Sequence, residues 1–261
     1  MIKRFFITAY VFFVITIAAA TIIPVAVFLG LISLIGLRKT SSELMYKSIK
    51  TISLFILFCT GFKLTVSGAE NIPPRGKTGL CFVCNHTGIL DVLLLFIAIG
   101  RPFGFISKKE IMYVPFINLW LVLLGGIFMD RKNPRKSFDA IKRGAEKIKK
   151  GHSMAIFPEG TRSRGQGLLP FRTGSFHLAT DSGADIVPVA LTGSYEAFEK
   201  TKLVHPRPVY VSFGKTIKTS LTDGGKNRQH FSDQARAEIA ELLELQQDEY
   251  GRLRPPSLRA P

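Results

Sequence analysis

From Phe5 to Leu37 the chain runs for 33 residues without an Asp, Glu, Lys, Arg or His. As one straight helix such a run would be about 50 Å long, against a bilayer hydrocarbon core of about 30 Å. Pro24 and Gly30 offer interruption points, so the run predicts either a tilted or kinked single span or a short hairpin dipping into one leaflet. Lys3-Arg4 and Arg38-Lys39 flank its two ends, so basic flanks do not set an orientation. The basic start, the apolar stretch and Ala18-Ala19-Ala20 imitate a signal peptide. The apolar run continues well past that point, which favours a retained anchor. Ser41 to Leu64 follows as a second helix, amphipathic at its start and apolar later, suited to the headgroup boundary.

After about Phe62 the pattern changes to short apolar runs alternating with helical periodicity. Strands are predicted at Phe62–Ser67, Gly79–Cys84, Phe103–Ser107, Gly126–Met129, Met154–Phe157, Ile186–Leu191 and Val209–Phe213. Helical patterns fall at Asp91–Ile99, Pro134–Lys150, Gly174–Ser182 and Ser232–Tyr250. Alternation of this kind predicts an α/β fold, a largely parallel central sheet flanked by helices and preceded by the N-terminal apolar helical anchor. The boundaries are residues 1–60 for the membrane-anchoring segment, 61–250 for the α/β catalytic domain and 251–261 for a disordered, Pro- and Arg-rich tail. Ile111 to Phe128 is also nearly all apolar, but Pro115, Asn118 and Gly125-Gly126 break it. It predicts a buried helix followed by a strand.

Charge narrows the partners. The 35 Lys and Arg against 19 Asp and Glu give a net charge of +16, while 46% of residues are hydrophobic. That combination favours the anionic phospholipids of a bilayer over nucleic acid; most of the 21 Phe lie in apolar runs, not interleaved with the basic residues. Residues 131–150 carry nine basic side chains against Asp139 and Glu146, an ordinary solvated helix face with some membrane attraction. Cys81 and Cys84 form a C-x-x-C without a second pair. In a strand a spacing of three sends the two side chains to opposite faces, so both read as core residues and no metal site is expected.

Two clusters carry chemistry. In Asn85-His86-Thr87-Gly88-Ile89-Leu90-Asp91 the imidazole and carboxylate are five residues apart, about 140° out of register on a helix. They meet only across a strand-to-helix turn, which Gly88 eases and after which Asp91 opens the helix. The carboxylate could then hold one imidazole nitrogen and leave the other to accept a proton. There is no Gly-x-Ser-x-Gly elbow, so direct attack by a substrate hydroxyl fits better than a serine nucleophile. The loop from Pro158 to Gly174 contains Glu159, Gly160, Thr161, Arg162, Arg164 and Arg172, a composition suited either to phosphate or to an exposed basic loop.

These blocks, in this order, resemble the glycerophospholipid acyltransferases, and among them the bacterial 1-acylglycerol-3-phosphate acyltransferases. Asn85-His86…Asp91 resembles the first block, Gly126-Ile127-Phe128-Met129-Asp130-Arg131 the second, Phe157-Pro158-Glu159-Gly160-Thr161-Arg162-Ser163 the third and Ile186-Val187-Pro188-Val189 the fourth. The linking stretch Gly167 to Gly174 is also similar. The resemblance covers roughly residues 60–215 and implies the roles. His86 would be the general base and Asp91 its orienting partner. Arg131 and Lys108 would bind the acceptor phosphate, Glu159, Gly160, Thr161, Arg162 and Gly174 would shape the acceptor pocket, and Pro188 would help build the donor side. Two departures stand out: Gly88 replaces a polar residue common in relatives, and Arg172 a commoner lysine.

The expectation is therefore a membrane-bound acyltransferase, its catalytic domain facing the cytoplasm from a bacterial inner membrane. It would move an acyl group from acyl-CoA or acyl carrier protein to lysophosphatidate, with the thioester as co-substrate and no other cofactor. Glycerol 3-phosphate, another lysophospholipid or a lyso-aminolipid are alternative acceptors, and a non-catalytic basic scaffold is the rival of another class.

Overall fold

The computed structural model describes residues 2–76, 78–114, 117–220 and 227–253. Its strands are β1 (Lys63–Ser67), β2 (Cys81–Cys84), β3 (Phe103–Lys108), β4 (Ile127–Met129), β5 (Ser153–Ile156), β6 (Ile186–Thr192) and β7 (Pro208–Phe213). Each falls within two residues of a stretch expected from the apolar runs. They form one sheet in the order β1-β7-β6-β2-β5-β3-β4. The block β6-β2-β5-β3-β4 is parallel throughout; β7 runs antiparallel to β6, and β1 pairs parallel with β7. Central strands such as Cys-Phe-Val-Cys and Ser-Met-Ala-Ile are buried along their whole length, because both sheet faces are covered.

Covering the first face are α1 (Ile2–Leu34), α2 (Arg38–Thr60) and α3 (Asp91–Ala98). Val11, Ala26 and Leu29 of α1, Met45, Tyr46, Ile49 and Leu57 of α2, and Leu94, Leu95 and Phe96 of α3 share one core with Phe82, Cys84, Phe103, Phe105, Val187 and Val211. The second face carries α5 (Pro134–Lys149), α6 (His177–Thr180) and α7 (Arg228–Leu253). Here Ile141 and Ile148, Leu178 and Ala179, and Phe231, Ala235 and Ile239 pack on Cys81, Val83, Met154, Ile156 and Ile186. The four-residue spacing of the α7 contacts is that of one helix face. Cys81 and Cys84 thus sit in opposite core layers, and burial pushes the Cys81 thiol up to about 12. α5 starts on a cap: the Asn133 side chain accepts from the Lys136 N–H at 3.1 Å, with Pro134 next in line.

Three local expectations need correction. α1 runs unbroken past Pro24 and Gly30; the chain reverses instead at Gly36, whose φ of 94° suits glycine, and α2 packs back on α1. The stretch from 111 to 128 gives a 3₁₀ turn (Lys109–Tyr113), the seven-residue helix α4 (Ile117–Leu123) and β4, but α4 buries only Leu121. Tyr113 and Val122 are 76% and 58% exposed, because a short helix beside an edge strand has a core on one side only. The helix expected at 174–182 divides into a 3₁₀ turn (Thr173–Phe176) and α6. Among the described residues no helix is long and apolar enough to cross a membrane; several side chains of the long α1 lie outside the described residues, as does the tail from 254 to 261.

Candidate active site

Parallel strands deliver their C-terminal ends, and the loops that follow, to one rim of the sheet, where α/β folds build their sites. Beyond Cys84 the Asn85 side chain continues the β2–β6 pairing. Its Oδ1 accepts from Leu191 N at 2.7 Å and its Nδ2 donates to Leu191 O at 3.0 Å. His86 is therefore held immediately past the end of the sheet. A turn then brings Asp91 to it as the first residue of α3, as the spacing required.

The His86 Nδ1 to Asp91 Oδ2 distance is 2.7 Å, with side-chain exposures of 17% and 0%. Oδ2 also accepts from Thr87 N at 2.7 Å and Gly88 N at 2.9 Å. Oδ1 accepts from the Ser194 hydroxyl, and Thr87 Oγ1 lies 3.0 Å from Oδ1 and 2.7 Å from Ser194 Oγ. A carboxylate surrounded by donors serves as an acceptor, so Nδ1 carries the imidazole proton and Nε2 offers a lone pair. Phe157 fixes the ring plane, stacked on the imidazole at 4.0 Å between centroids. Space beside Gly88 is taken by Ser194: a β-carbon on Gly88 would come within 2.9 Å of the Ser194 hydroxyl. A polar group next to position 88 thus comes from Ser194, which follows the neighbouring strand β6.

The loop after β5 is lashed to this centre. Glu159 Oε1 accepts from His86 N at 2.7 Å and Oε2 from Leu169 N at 3.3 Å, while Ser163 N donates to His86 O at 2.8 Å. Burial pushes the Glu159 carboxyl up to about 7, against the pull of its two backbone donors. Arg131, just past β4, donates through Nη1 to Gly160 O. Gly160 has φ 72°, and a β-carbon there would sit 2.7 Å from Arg172 Nε, so glycine serves both the turn and the close guanidinium. Burial, then the neighbouring Arg172 charge, lowers the Arg131 pKa. Two guanidiniums beside one glycine turn have the chemistry to receive a phosphate dianion.

The other expected residues are distributed as follows. Lys108 closes β3, pairing in register with Met129 of β4 two residues before Arg131, and reaches Glu110 at 3.4 Å. Arg162 turns away to pair with Glu199 at 2.6 Å, and Glu199 also accepts from Ile89 N at 2.6 Å. Thr161 is exposed on the loop, while Gly174 lies in the 3₁₀ turn next to α6. Pro188 is inside β6, in register with Val83, away from the loops that carry the others. Ser194, Glu199 and Phe157 were not assigned roles from sequence. The first two follow β6, a hundred residues after His86, and only the β2–β6 pairing brings them near. Among the described residues no group of three or more His, Cys, Asp and Glu side chains is placed to hold a metal ion.

Comparison with known proteins bears on the family and the fold. Residues 63–192 match the family model described as Acyltransferase. The chain belongs to the acyltransferase family. A relative named 1-acyl-sn-glycerol-3-phosphate acyltransferase from Cocos nucifera is 36% identical over 166 residues, 63% of this chain and 53% of the relative. One of the same name from Borreliella burgdorferi is 33% identical, covering 61% of this chain and 62% of its own length. The matched region thus spans about half to three-fifths of such relatives. The crystal structure of the 1-acyl-sn-glycerophosphate (LPA) acyltransferase PlsC from Thermotoga maritima superimposes with a TM-score of 0.79 at 22% identity, covering 94% of this chain and 97% of that one, and shares its fold.

Proposed function

We propose that the chain transfers a fatty acyl group from an acyl thioester, carried by CoA or acyl carrier protein, to the free hydroxyl of lysophosphatidate, giving phosphatidate. The observation that carries this reading is the buried Asp91 locked onto His86 Nδ1, with the Arg131–Arg172 cradle on the adjoining loop. His86 Nε2 takes the acceptor's hydroxyl proton as the oxygen attacks the thioester carbonyl carbon. The tetrahedral intermediate collapses, the carbon–sulfur bond breaks, and the imidazolium returns its proton to the departing thiolate. No bond to the enzyme forms and the thioester is the only co-substrate. Arg131, with Lys108 nearby, holds the acceptor's phosphate; Glu159 and Gly160 shape the loop that presents it.

In this reading the enzyme sits at a bacterial inner membrane with its catalytic domain facing the cytoplasm. Exposed apolar side chains on the α1–α2 hairpin support that, among them Phe13, Phe28 and Leu34 of α1 and Phe58 of α2, the last 83% exposed. So does the net charge of +16, which suits anionic phospholipids.

The test is acyl transfer by detergent-solubilised protein and its His86→Ala variant, with both thioester carriers and a panel of acceptors. Turnover confined to lysophosphatidate and lost in the variant is expected. Turnover on glycerol 3-phosphate or another lyso-lipid would change the acceptor and keep the base; activity that survives His86→Ala would remove the base.

A further inference from the structure

At the opposite rim of the sheet, a cleft of about 380 Å³ opens where β2, β3 and β5 begin. Gly79, at this rim, and His86 are seven residues apart along an extended strand, so roughly 20 Å separates it from the imidazole. Four separate segments meet here: the start of α2 with Lys39, Ser42 and Glu43, the stretch around Arg75, the entry to β3 with Arg101, and the α5–β5 turn with Lys150 and His152. A size of this order matches a small-ligand pocket.

The charges in it are unbalanced. Glu43 is the one carboxylate in the lining, and Arg75 takes it at 2.5 Å. Lys39, Arg101 and Lys150 form no ion pair among the described residues. Arg101 is held in place by a 2.5 Å bond from Nη2 to Pro73 O, and its pKa is lowered by burial and then by Arg75. His152 is lowered by desolvation, then by Lys147, Lys39 and Lys150. These cations repel one another, yet the fold gathers them from four places in the sequence.

The start of α2 breaks local rules in the same direction. Its cap position is Leu37, with no side-chain cap, and its first turn has no acidic residue and begins Arg38-Lys39. Basic side chains at the positive end of a 23-residue helix are unfavourable, and no side chain caps its first N–H groups. An anion in the cleft answers the repulsion, the missing cap and the misplaced charge together.

We propose that this cleft is a second site, separate from the active site, that binds a phosphate-bearing anion, either the headgroup of an anionic phospholipid or a soluble phosphate compound. Arg101 and Arg75 supply guanidinium donors, Lys39 and Lys150 the flanking charges, and the occupant ties the start of α2 to the entries of β3 and β5. The assignment is independent of the acceptor used at His86.

Binding is measured on full-length solubilised protein carrying Arg131→Ala, so that the active-site cradle is weakened. Inorganic phosphate and mixed micelles of phosphatidylglycerol or phosphatidylcholine are the probes. The readouts are equilibrium binding and the thermal unfolding midpoint. Phosphate, phosphatidylglycerol or both should bind and raise the midpoint, while phosphatidylcholine does not. Adding Lys39→Ala with Lys150→Ala, two exposed positions that leave the core intact, should weaken that binding at least tenfold and abolish the rise. Phosphate alone identifies a soluble ligand; phosphatidylglycerol alone identifies a headgroup. No binding by either, or binding unchanged in the double variant, overturns the proposal.

Discussion

At the C-terminal rim of the parallel strands, charged side chains meet partners: His86 with Asp91, Arg162 with Glu199, Glu159 with two backbone N–H groups. At the N-terminal rim Lys39, Arg75, Arg101 and Lys150 face Glu43 alone. The same sheet organises both ends, so the difference lies in the loops. One set is built to orient groups before a substrate arrives, whereas the other is left incomplete until an anion fills it. Arg131 and Arg172 are exceptions at the first rim, crowded together in the place where the acceptor's phosphate is expected.

The largest effect should come from the pre-oriented pair. His86→Ala is expected to lower kcat by about 1,000-fold, within the range for a lost general base. Asp91→Asn keeps the shape but presents an amide where Nδ1, Thr87 N and Gly88 N all need an acceptor. A loss of about 100-fold in kcat, with both KM values little changed, is expected from steady-state kinetics. Matching losses in Lys39→Ala with Lys150→Ala would erase the distinction between the two rims.

Arg131→Ala tests one of those exceptions. Loss of a charge-assisted contact to phosphate should raise the acceptor's KM by about 10- to 100-fold and leave the donor's nearly unchanged. Equal effects on both substrates would move Arg131 from phosphate binding to loop support, through its bond to Gly160 O.

Glu159 separates the rims by pH. Its carboxyl is raised from the ordinary 4.5 to about 7. Between those values the folded protein holds a proton that the unfolded chain has released, so this group's contribution to stability falls as pH rises through that window. Glu159→Gln removes the titration and keeps an acceptor. The stability of wild type relative to Glu159→Gln should drop by about 3 kcal/mol from pH 4.5 to pH 7.5 in denaturant titrations. A flat difference would contradict the raised carboxyl.

The apolar runs made the sheet legible, since buried parallel strands are short and almost uninterrupted, and each of the seven appears. His86 and Asp91 were legible because they lie within one strand–turn–helix unit. What the pattern could not carry was anything that depends on strand order. Ser194 and Glu199 are ordinary polar residues after β6, and only the placement of β6 beside β2 brings them to the turn that follows His86. The break between the two N-terminal helices was legible near Leu37, whereas Pro24 and Gly30, offered as interruption points, leave α1 unbroken; the reversal comes at Gly36, where positive φ is needed.

Ser194 offers the finest test of the ordered rim. Its hydroxyl donates to Asp91 Oδ1, but Asp91 retains His86 Nδ1, Thr87 N, Gly88 N and the Thr87 hydroxyl when it is removed. Ser194→Ala should therefore lower kcat only about 3- to 10-fold, the cost of about one modest hydrogen bond, with both KM values held. Gly88→Ser in that variant should not recover the loss, because a β-carbon at position 88 would still meet Tyr195 N at 3.0 Å and Glu199 Oε2 at 3.1 Å. The same Gly88→Ser change in wild type should be more harmful still, since its β-carbon would meet the Ser194 oxygen at 2.9 Å as well. Recovery of kcat by Gly88→Ser in the Ser194→Ala background would show instead that these neighbours give way and that a hydroxyl at position 88 can stand in for Ser194.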